Sequence, residues 1–464
     1  MATLLWHKSH PITAYSGAKS MLKRQLTRLG YLLLACLPLL LAASIGSYYS
    51  MQVAMSIRSD KPNIQSQPIV YDAQKPTAVI LLGNTVSEIT DVLAPYALLA
   101  KTGLYNVYTV AETSSVRSLS GGLDLLPDYS FAGLATLLKQ PPALVIVPAI
   151  TEIQASQNQP VLAWLRQQSQ AASTVMSWCT GAEVLAESGL LDGLPATAHW
   201  ADLSSLQKRY PKVKWQNNQR YVDINQQIIT TAGLTSGIDA TLYFLQKMHG
   251  ADVSQQLADM INYSDQSYLE HATMQPFSIT PSDSVYLLNA AFYWPKQTLG
   301  IWLSQGVDEL ALAAFFDVYT GSWVYDFRTI GAEPNIRSAH GLQLIPRYQA
   351  ATHIDRLVGF GPNQQAQTWA EQQQMTYHEL DLAQQGNMFE QALVRFAIDQ
   401  DQASAQFAAK RMEYRQPLTL HGASWPWRTL IGIGVWLGVG IGACYGLRRI
   451  SNKRKSAATN ENLG

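Results

Sequence analysis

The chain has 464 residues, enough for two or three domains, and its 33 Lys and Arg balance 33 Asp and Glu. Only 14% of residues are charged, so there is no electrostatic footprint for a nucleic-acid partner. The nine histidines are scattered, and no H-x-x-E-H, C-x-x-C or G-x-x-x-x-G-K spacing occurs, so neither a metal nor another cofactor is expected.

Residues 1–29 form a basic region (Lys8, Lys19, Lys23, Arg24, Arg28), and no charge occurs from Leu29 to Ile57. This predicts a membrane span over 30–50, uncleaved because no A-x-A site follows the apolar core. A second charge-free run, Thr429 to Leu447, is entered through Trp425 and Trp427 and followed by Arg448, Arg449, Lys453, Arg454 and Lys455. It reads as a second span over 429–447 with a basic tail, 448–464. Positive charge beyond both spans places both termini in the cytoplasm and the intervening domains outside the inner membrane, in the periplasm. Gly434, Gly438, Gly442 and Gly446 recur every four residues, a ridge on which another helix could pack closely. The partner would be the first span, at Ala42, Ala43 and Gly46, or another copy of the chain in a homodimer. The plainer alternative is the ordinary abundance of glycine in membrane helices.

Between the spans, residues 51–75 read as a polar linker. Thr77–Leu82 (TAVILL), Val107–Val110 and Ala143–Val147 (ALVIV) read as buried strands, separated by a helix that ends near Gly103 and a short helix over Leu134–Lys139. A helix over Pro160–Ala171 leads into the strand Thr174–Met176, and another helix follows over Ala182–Leu191. Beyond His199 come a helix, strands near Tyr221–Ile224 and Ile228–Thr230, and helices from Ile238 and over Val253–Tyr263. This alternation predicts an α/β domain over 76–264 built on a doubly wound parallel sheet.

The strand at Thr174–Met176 turns sharply through Trp178-Cys179-Thr180-Gly181 into a helix, the geometry of a nucleophile elbow with cysteine in place of serine. A thiol at a helix N-terminus has its pKa lowered, and nearby N–H groups can hold an anion. Cys36 and Cys444 fall in the two spans, so the remaining cysteine, Cys179, has no partner for a disulfide in the extramembrane part. The structural alternative is a small buried hydrophobe.

The segment SWCTGAEVLAESGLLDGLPATAHW (177–200) resembles the elbow-to-histidine stretch of the DJ-1/PfpI superfamily, above all the branch that forms the N-terminal half of AraC-type regulators. The resemblance covers 76–264 and implies a flavodoxin-like, class I glutamine-amidotransferase-like fold. It also implies an acid four residues before a proline, facing the cysteine. Asp91 in Asp91-Val92-Leu93-Ala94-Pro95 stands there, with Glu88 as the competing acid. His199 becomes the candidate base or modulator of Cys179, and the backbone N–H groups of Thr180 and Ala149 become the candidate oxyanion donors. Two departures stand out. Thr180 replaces the histidine that follows the cysteine in the protease-like branch, and Val147-Pro148-Ala149-Ile150 replaces a usual glycine pair, which Gly121 and Gly122 do not restore.

After a connector, 265–296, the chain starts over. Thr298–Leu303 and GVDELALAAFFDVYTG repeat the first strand and helix, and IRSAHGLQLIP echoes VRSLSGGLDLLP with a period of 220 residues. AKRMEY (409–414) echoes ADMINY (258–263) with a period of 151, so the second copy, 297–416, is 69 residues shorter. The gap is expected between the Leu357–Phe360 strand and the terminal helix, removing the elbow, and Ala311 stands where the first copy has Asp91. A linker, 417–428, precedes the second span, and no helix-turn-helix units follow it, so direct nucleic-acid binding is not expected.

Two functions fit. One is a cysteine-dependent hydrolase or amidase, or an enzyme of small carbonyl compounds, with Cys179, His199 and Asp91 as its machinery. The other is a sensory or regulatory module holding a small-molecule ligand or responding to an oxidant, signalling through the glycine-ridged span. The missing glycine pair and the eroded second copy favour the second.

Overall fold

A computed structural model describes residues 12–58, 62, 64–171, 173–348, 353–382 and 386–461. The first part of the basic N-terminal region, with Lys8, lies outside the described residues, as do 59–61 and 63 of the expected linker and the end of the tail. The chain divides into two compact bodies. One gathers residues up to Tyr48, Ala291–Trp294 and everything from Trp427; the other holds Tyr49–Ala290 and Pro295–Pro426.

The chain opens with α1 (Ile12–Ala54). The larger body then builds β1 (Thr77–Leu81), α2 (Ile89–Thr102), β2 (Asn106–Ala111), a hairpin of β3 (Arg117–Ser118) and β4 (Asp124–Leu126), β5 (Tyr129–Ser130), α3 (Phe131–Leu137), β6 (Leu144–Val147) and α4 (Gln159–Gln170). There follow β7 (Thr174–Ser177), α5 (Gly181–Glu187), β8 (Pro195–Ala196), α6 (Leu203–Arg209), β9 (Lys214–Trp215), β10 (Tyr221–Ile224), β11 (Ile228–Thr231), α7 (Leu234–His249) and α8 (Ala251–Met260). Seven strands join in the order β10-β11-β7-β6-β1-β2-β5, parallel except for the edge strand β10. The β-branched and leucine runs of β1 and β6 are buried on both faces, which is why they carry no alternation. Val79, Leu81, Val145, Val147 and Val175 form one core with Leu134 of α3, Leu162 of α4 and Leu185 of α5. α2 packs against α7. This is the expected α/β fold with a parallel-dominated, flavodoxin-like sheet.

After α9 (Ser284–Phe292) the body continues with β12 (Gln297–Leu303), α10 (Glu309–Thr320), β13 (Tyr325–Gly331), a hairpin of β14 (Ile336–Arg337) and β15 (Gln343–Ile345), β16 (Arg356–Phe360), α11 (Gln364–Gln372), β17 (Tyr377–Leu380), α12 (Met388–Asp399) and α13 (Gln402–Arg411). Its sheet runs β13-β12-β16-β17, all parallel, the order and polarity of β2-β1-β6-β7. Backbone exceptions recur at the repeat spacings. Trp323 (φ 60°) matches Gly103 (φ 66°), and Glu413 (φ 61°) matches Asn262 (φ 51°). β17 stands beside β16 as the elbow strand β7 stands beside β6, and the gap expected between the Leu357–Phe360 strand and the terminal helix lies after it. Missing among the described residues are counterparts of α5, the His199 turn and the strands beyond it.

The hairpins of the two sheets form one four-stranded antiparallel sheet, β14-β15-β4-β3, with Leu344 opposite Leu125 and Gln343 opposite Leu126. At this seam the fully buried Asp124 accepts two hydrogen bonds from Arg347 (2.6 and 3.1 Å) and faces Arg58 at 3.4 Å. α2 packs on α10. The described part of 56–75 is not a loose linker. The Arg58 N–H donates to Ser118 Oγ, the Gln67 N–H to Gln343 Oε1, and Ser56 accepts from Arg347. Polar side chains of the small sheet hold this strap down, something composition cannot reveal.

The last helix, α14 (Trp427–Glu461), belongs to the other body. Leu29–Ala54 and Trp427–Lys453 are long and apolar enough to cross a membrane. Within this body a Cβ on Gly440 would collide with the Ala35 carbonyl oxygen, and Cys444 Sγ lies 3.2 Å from the Tyr31 carbonyl oxygen. The expected ridge does not make that contact: among the described residues, a Cβ built on Gly434, Gly438, Gly442 or Gly446 would meet nothing beyond its own helix. Gly440 lies on another face of the helix, which the four-residue spacing hides.

Asp128 sits at the same seam, accepting from the Thr109 N–H (2.7 Å), the Thr109 hydroxyl and Gln343. Burial raises its carboxyl to about 6. A carboxyl raised on folding contributes stability below its unfolded value, and that contribution is lost as pH rises through about 6. Ionisation therefore costs about 3 kcal/mol at neutral pH. The melting temperature should fall between pH 4 and pH 7, and Asp128→Asn should flatten that fall; an unchanged profile in the variant would contradict this assignment.

Candidate functional site

The elbow is built by steric necessity. β7 delivers Trp178 into the core, where it lies against Gly237 of α7 so closely that a Cβ there would overlap the indole. Cys179 then takes φ 52°, a left-handed conformation that costs a non-glycine residue energy and is held by the surrounding packing. Gly181 must be glycine because a Cβ would strike the Val147 carbonyl oxygen at the end of β6. The thiol is thereby set at the start of α5, in a cavity of about 310 Å³.

The structure brings Asp91, Ala149, Cys179, Thr180 and His199 to that cavity. Their contacts differ from the expected triad. His199 Nε2 lies 2.8 Å from the Arg411 carbonyl oxygen, which fixes it as a donor, and Nδ1 faces Asp202 at 3.6 Å. Neither ring nitrogen is directed to the thiol, whose hydrogen-bond neighbour is the Thr180 hydroxyl at 3.8 Å. Thr180 donates in turn to Asp202 at 2.7 Å. His199 thus connects to Cys179 through Asp202 and Thr180. Ala149 is also committed, since its N–H donates to Asp91 Oδ2 at 3.0 Å. The Cys179 N–H goes to Thr231 Oγ1 and the Gly181 N–H to the Trp178 carbonyl. That leaves the Thr180 amide as the elbow donor available to an anion among the described residues.

Charge in the cavity opposes a thiolate. Burial, then Asp91, Asp202 and Glu88, push the Cys179 thiol well above its ordinary range, reversing the expected lowering at the helix start. α5 spans Gly181–Glu187, under two turns, with a weak dipole against three carboxyl groups. Glu88 caps α2 by accepting from the Asp91 N–H at 2.8 Å. Burial raises Glu88, helped by the charge of Asp317, and raises Asp91 well above its ordinary value, helped by Glu88. Burial lowers the His199 pKa, but the hydrogen bond and charge of Asp202 outweigh it and raise the imidazole overall.

Among the site residues, Asp202, Arg411 and Asp317 escaped the sequence reading. Arg411, at the end of α13, and Asp317, in α10, pair at 3.2 Å and line the cavity from the side of the smaller sheet. Burial depresses the Arg411 guanidinium, but Asp317, Glu88 and the thiol outweigh it and keep it charged. The available signal was Asp317 itself, a carboxylate inside the apolar run Ala311–Tyr319 that has to meet a cation. Ala54 and Met55, at the end of α1, form another part of the wall.

These features accord with the comparisons. The DJ-1/PfpI family profile matches residues 76–247. An isonitrile hydratase of Pseudomonas putida is 31% identical over 195 residues, covering 42% of this chain and 78% of that protein. The chain belongs to the DJ-1/PfpI family. The HTH-type transcriptional regulator GbdR of Pseudomonas aeruginosa is 30% identical over 162 residues, 34% of this chain, and the chain spans 42% of that regulator's length. A ThiJ/PfpI family protein of Pseudomonas syringae shares 20% identity over 44% of this chain and 84% of its own, with a TM-score of 0.36.

In a chain carrying Cys36→Ser and Cys444→Ser, iodoacetamide labelling of Cys179 should rise with pH around a midpoint above the ~8.5 of a free thiol. A midpoint near 7 would contradict the electrostatics described.

Proposed function

We propose that this chain is a membrane-anchored sensory protein of the DJ-1/PfpI family whose cavity around Cys179 holds a small molecule, with both termini cytoplasmic and the domains extracytoplasmic. In this reading the two apolar helices are the anchors, and residues 297–416 are a shortened duplicate of 76–264 kept to close the cavity rather than to react. The observation that carries it is the shared wall: Met55, at the end of the N-terminal apolar helix, lines the same cavity as Cys179. A ligand seated there meets the helix end directly, so occupancy can bias the helix. A thiol held protonated supports ligand contact over oxidant sensing, because oxidation requires the thiolate. Relationship to AraC-type regulators supports a regulatory use of the domain.

The second reading is an enzyme, favoured by the isonitrile hydratase, of which the chain covers 78%. In that case Cys179 is the reacting group and the Thr180 amide steadies the developing charge. The test uses the full chain in nanodiscs with Cys179 carboxamidomethylated by iodoacetamide as a stand-in for ligand. Amide exchange over residues 49–58 should change by about threefold or more relative to a Cys179→Ala chain given the same reagent. Unchanged exchange, together with turnover of a simple alkyl isonitrile that Cys179→Ala abolishes, would replace the sensory reading by the enzymatic one.

A further inference from the structure

The cavity at Cys179 continues past Thr180. A second chamber of about 360 Å³ opens there, and Met55, Glu88, Ser120, Ala149, Thr180 and Asp202 wall both. Its other walls include Val86, before α2, and Ile150, Thr151 and Ile153, after β6. These two stretches are tied together through the backbone. Ile150 bridges Ser87, the Thr151 N–H donates to the Val86 carbonyl oxygen at 2.9 Å, and the Glu88 N–H donates to the Ala149 carbonyl oxygen at 2.8 Å. The fully buried Asn158 donates to the Thr85 hydroxyl at 3.0 Å and to the Glu152 carbonyl oxygen at 3.1 Å, which holds the turn where Glu152 takes φ 48°. The chamber is therefore built into the fold. Of the described strap only Met55 reaches it: Arg58 binds Ser118 and Asp124, and Ile64 packs on Val116, Leu126 and Ile345.

What the chamber can hold follows from which of its polar groups are already bonded. Thr151 Oγ1 lies 3.2 Å from both the N–H nitrogen and the carbonyl oxygen of Val86, and Gln154 donates to the Tyr210 hydroxyl at 2.8 Å. Glu183 pairs with Arg209, and Glu152 is exposed to solvent. Left for a guest is the apolar surface of Met55, Val86, Ile150 and Ile153. A charged group there would lose its hydration without gaining a partner, whereas an alkyl chain gains by leaving water. Thr180 stands where the two chambers meet, and its amide is the elbow donor available among the described residues. We propose that the ligand is an elongated molecule, with a hydrogen-bond acceptor at the Thr180 amide and an uncharged aliphatic arm of several carbons against Ile150 and Ile153. The proposal rests on the reading of the Cys179 cavity as a ligand site and names the class of ligand.

The test uses the full chain in nanodiscs, carrying Cys36→Ser and Cys444→Ser, and measures the rate at which Cys179 is labelled. The reagents are iodoacetamide and its N-propyl and N-hexyl derivatives, each rate divided by that of N-acetylcysteine with the same reagent. The normalised rate should rise about tenfold or more from the unsubstituted to the hexyl reagent. The rise should disappear in an Ile153→Arg chain of unchanged melting temperature, and in an Ile153→Phe chain, which narrows the chamber without adding charge. Equal normalised rates for the three reagents, or a rise that persists in either folded variant, would overturn the proposal. So would an equal rise with iodoacetamidohexanoate, which has a similar arm but a charge at its end. The sensory reading fails separately, since it requires exchange over residues 49–58 to respond to the unsubstituted reagent, which carries no arm.

Discussion

The pairing of β4 with β15 is the constraint on which the rest depends. A short antiparallel contact, closed underneath by Asp124 between Arg347 and Arg58, joins two parallel sheets into one body. A carboxylate without solvent exposure is tolerable there because it is bound twice by one guanidinium and faces another. With the sheets fixed, α10 lies on α2 and the end of α13 lies over the elbow. The cavity at Cys179 is therefore a joint product. One sheet supplies the thiol, Asp91 and His199; the other supplies Asp317 and Arg411.

That joint origin explains the electrostatics. The carboxyl groups of Glu88, Asp91 and Asp317 line the cavity together with the Arg411 guanidinium, and burial raises all three. A thiol in such company keeps its proton. His199 and Asp202 form a separate pair at the rim, burial being outweighed for each by the other's charge and hydrogen bond. The elbow retains a left-handed backbone at Cys179, and neither nitrogen of His199 is directed to the thiol.

The sequence made the fold legible wherever periodicity and punctuation carried it. The apolar runs at 77–82 and 143–147 could be little else than central strands, and W-C-T-G marked the elbow because Gly181 tolerates no side chain. Asp91 and Glu88 were legible as neighbours on one helix, although not as an acid bound to the Ala149 amide. Illegible were features set by long-range packing: the direction of the His199 ring, the strap over 56–75 and the contribution of Arg411. Each depends on a contact across more than fifty residues, which local pattern does not encode. The polar β17 (YHEL), inside the interval where the second copy was expected to be shortened, carried no apolar run to mark it as a strand.

The central claim is that the smaller sheet completes the site with the one guanidinium shown to line it. The direct measurement is the pH midpoint of Cys179 alkylation in an Arg411→Met chain that also carries Cys36→Ser and Cys444→Ser. Removing the nearby cation should raise the midpoint further, by about one pH unit, and slow labelling at pH 8 by about tenfold. A midpoint identical to that of the chain retaining Arg411 would mean that the guanidinium does not act on the thiol, and that the site belongs to the larger sheet by itself.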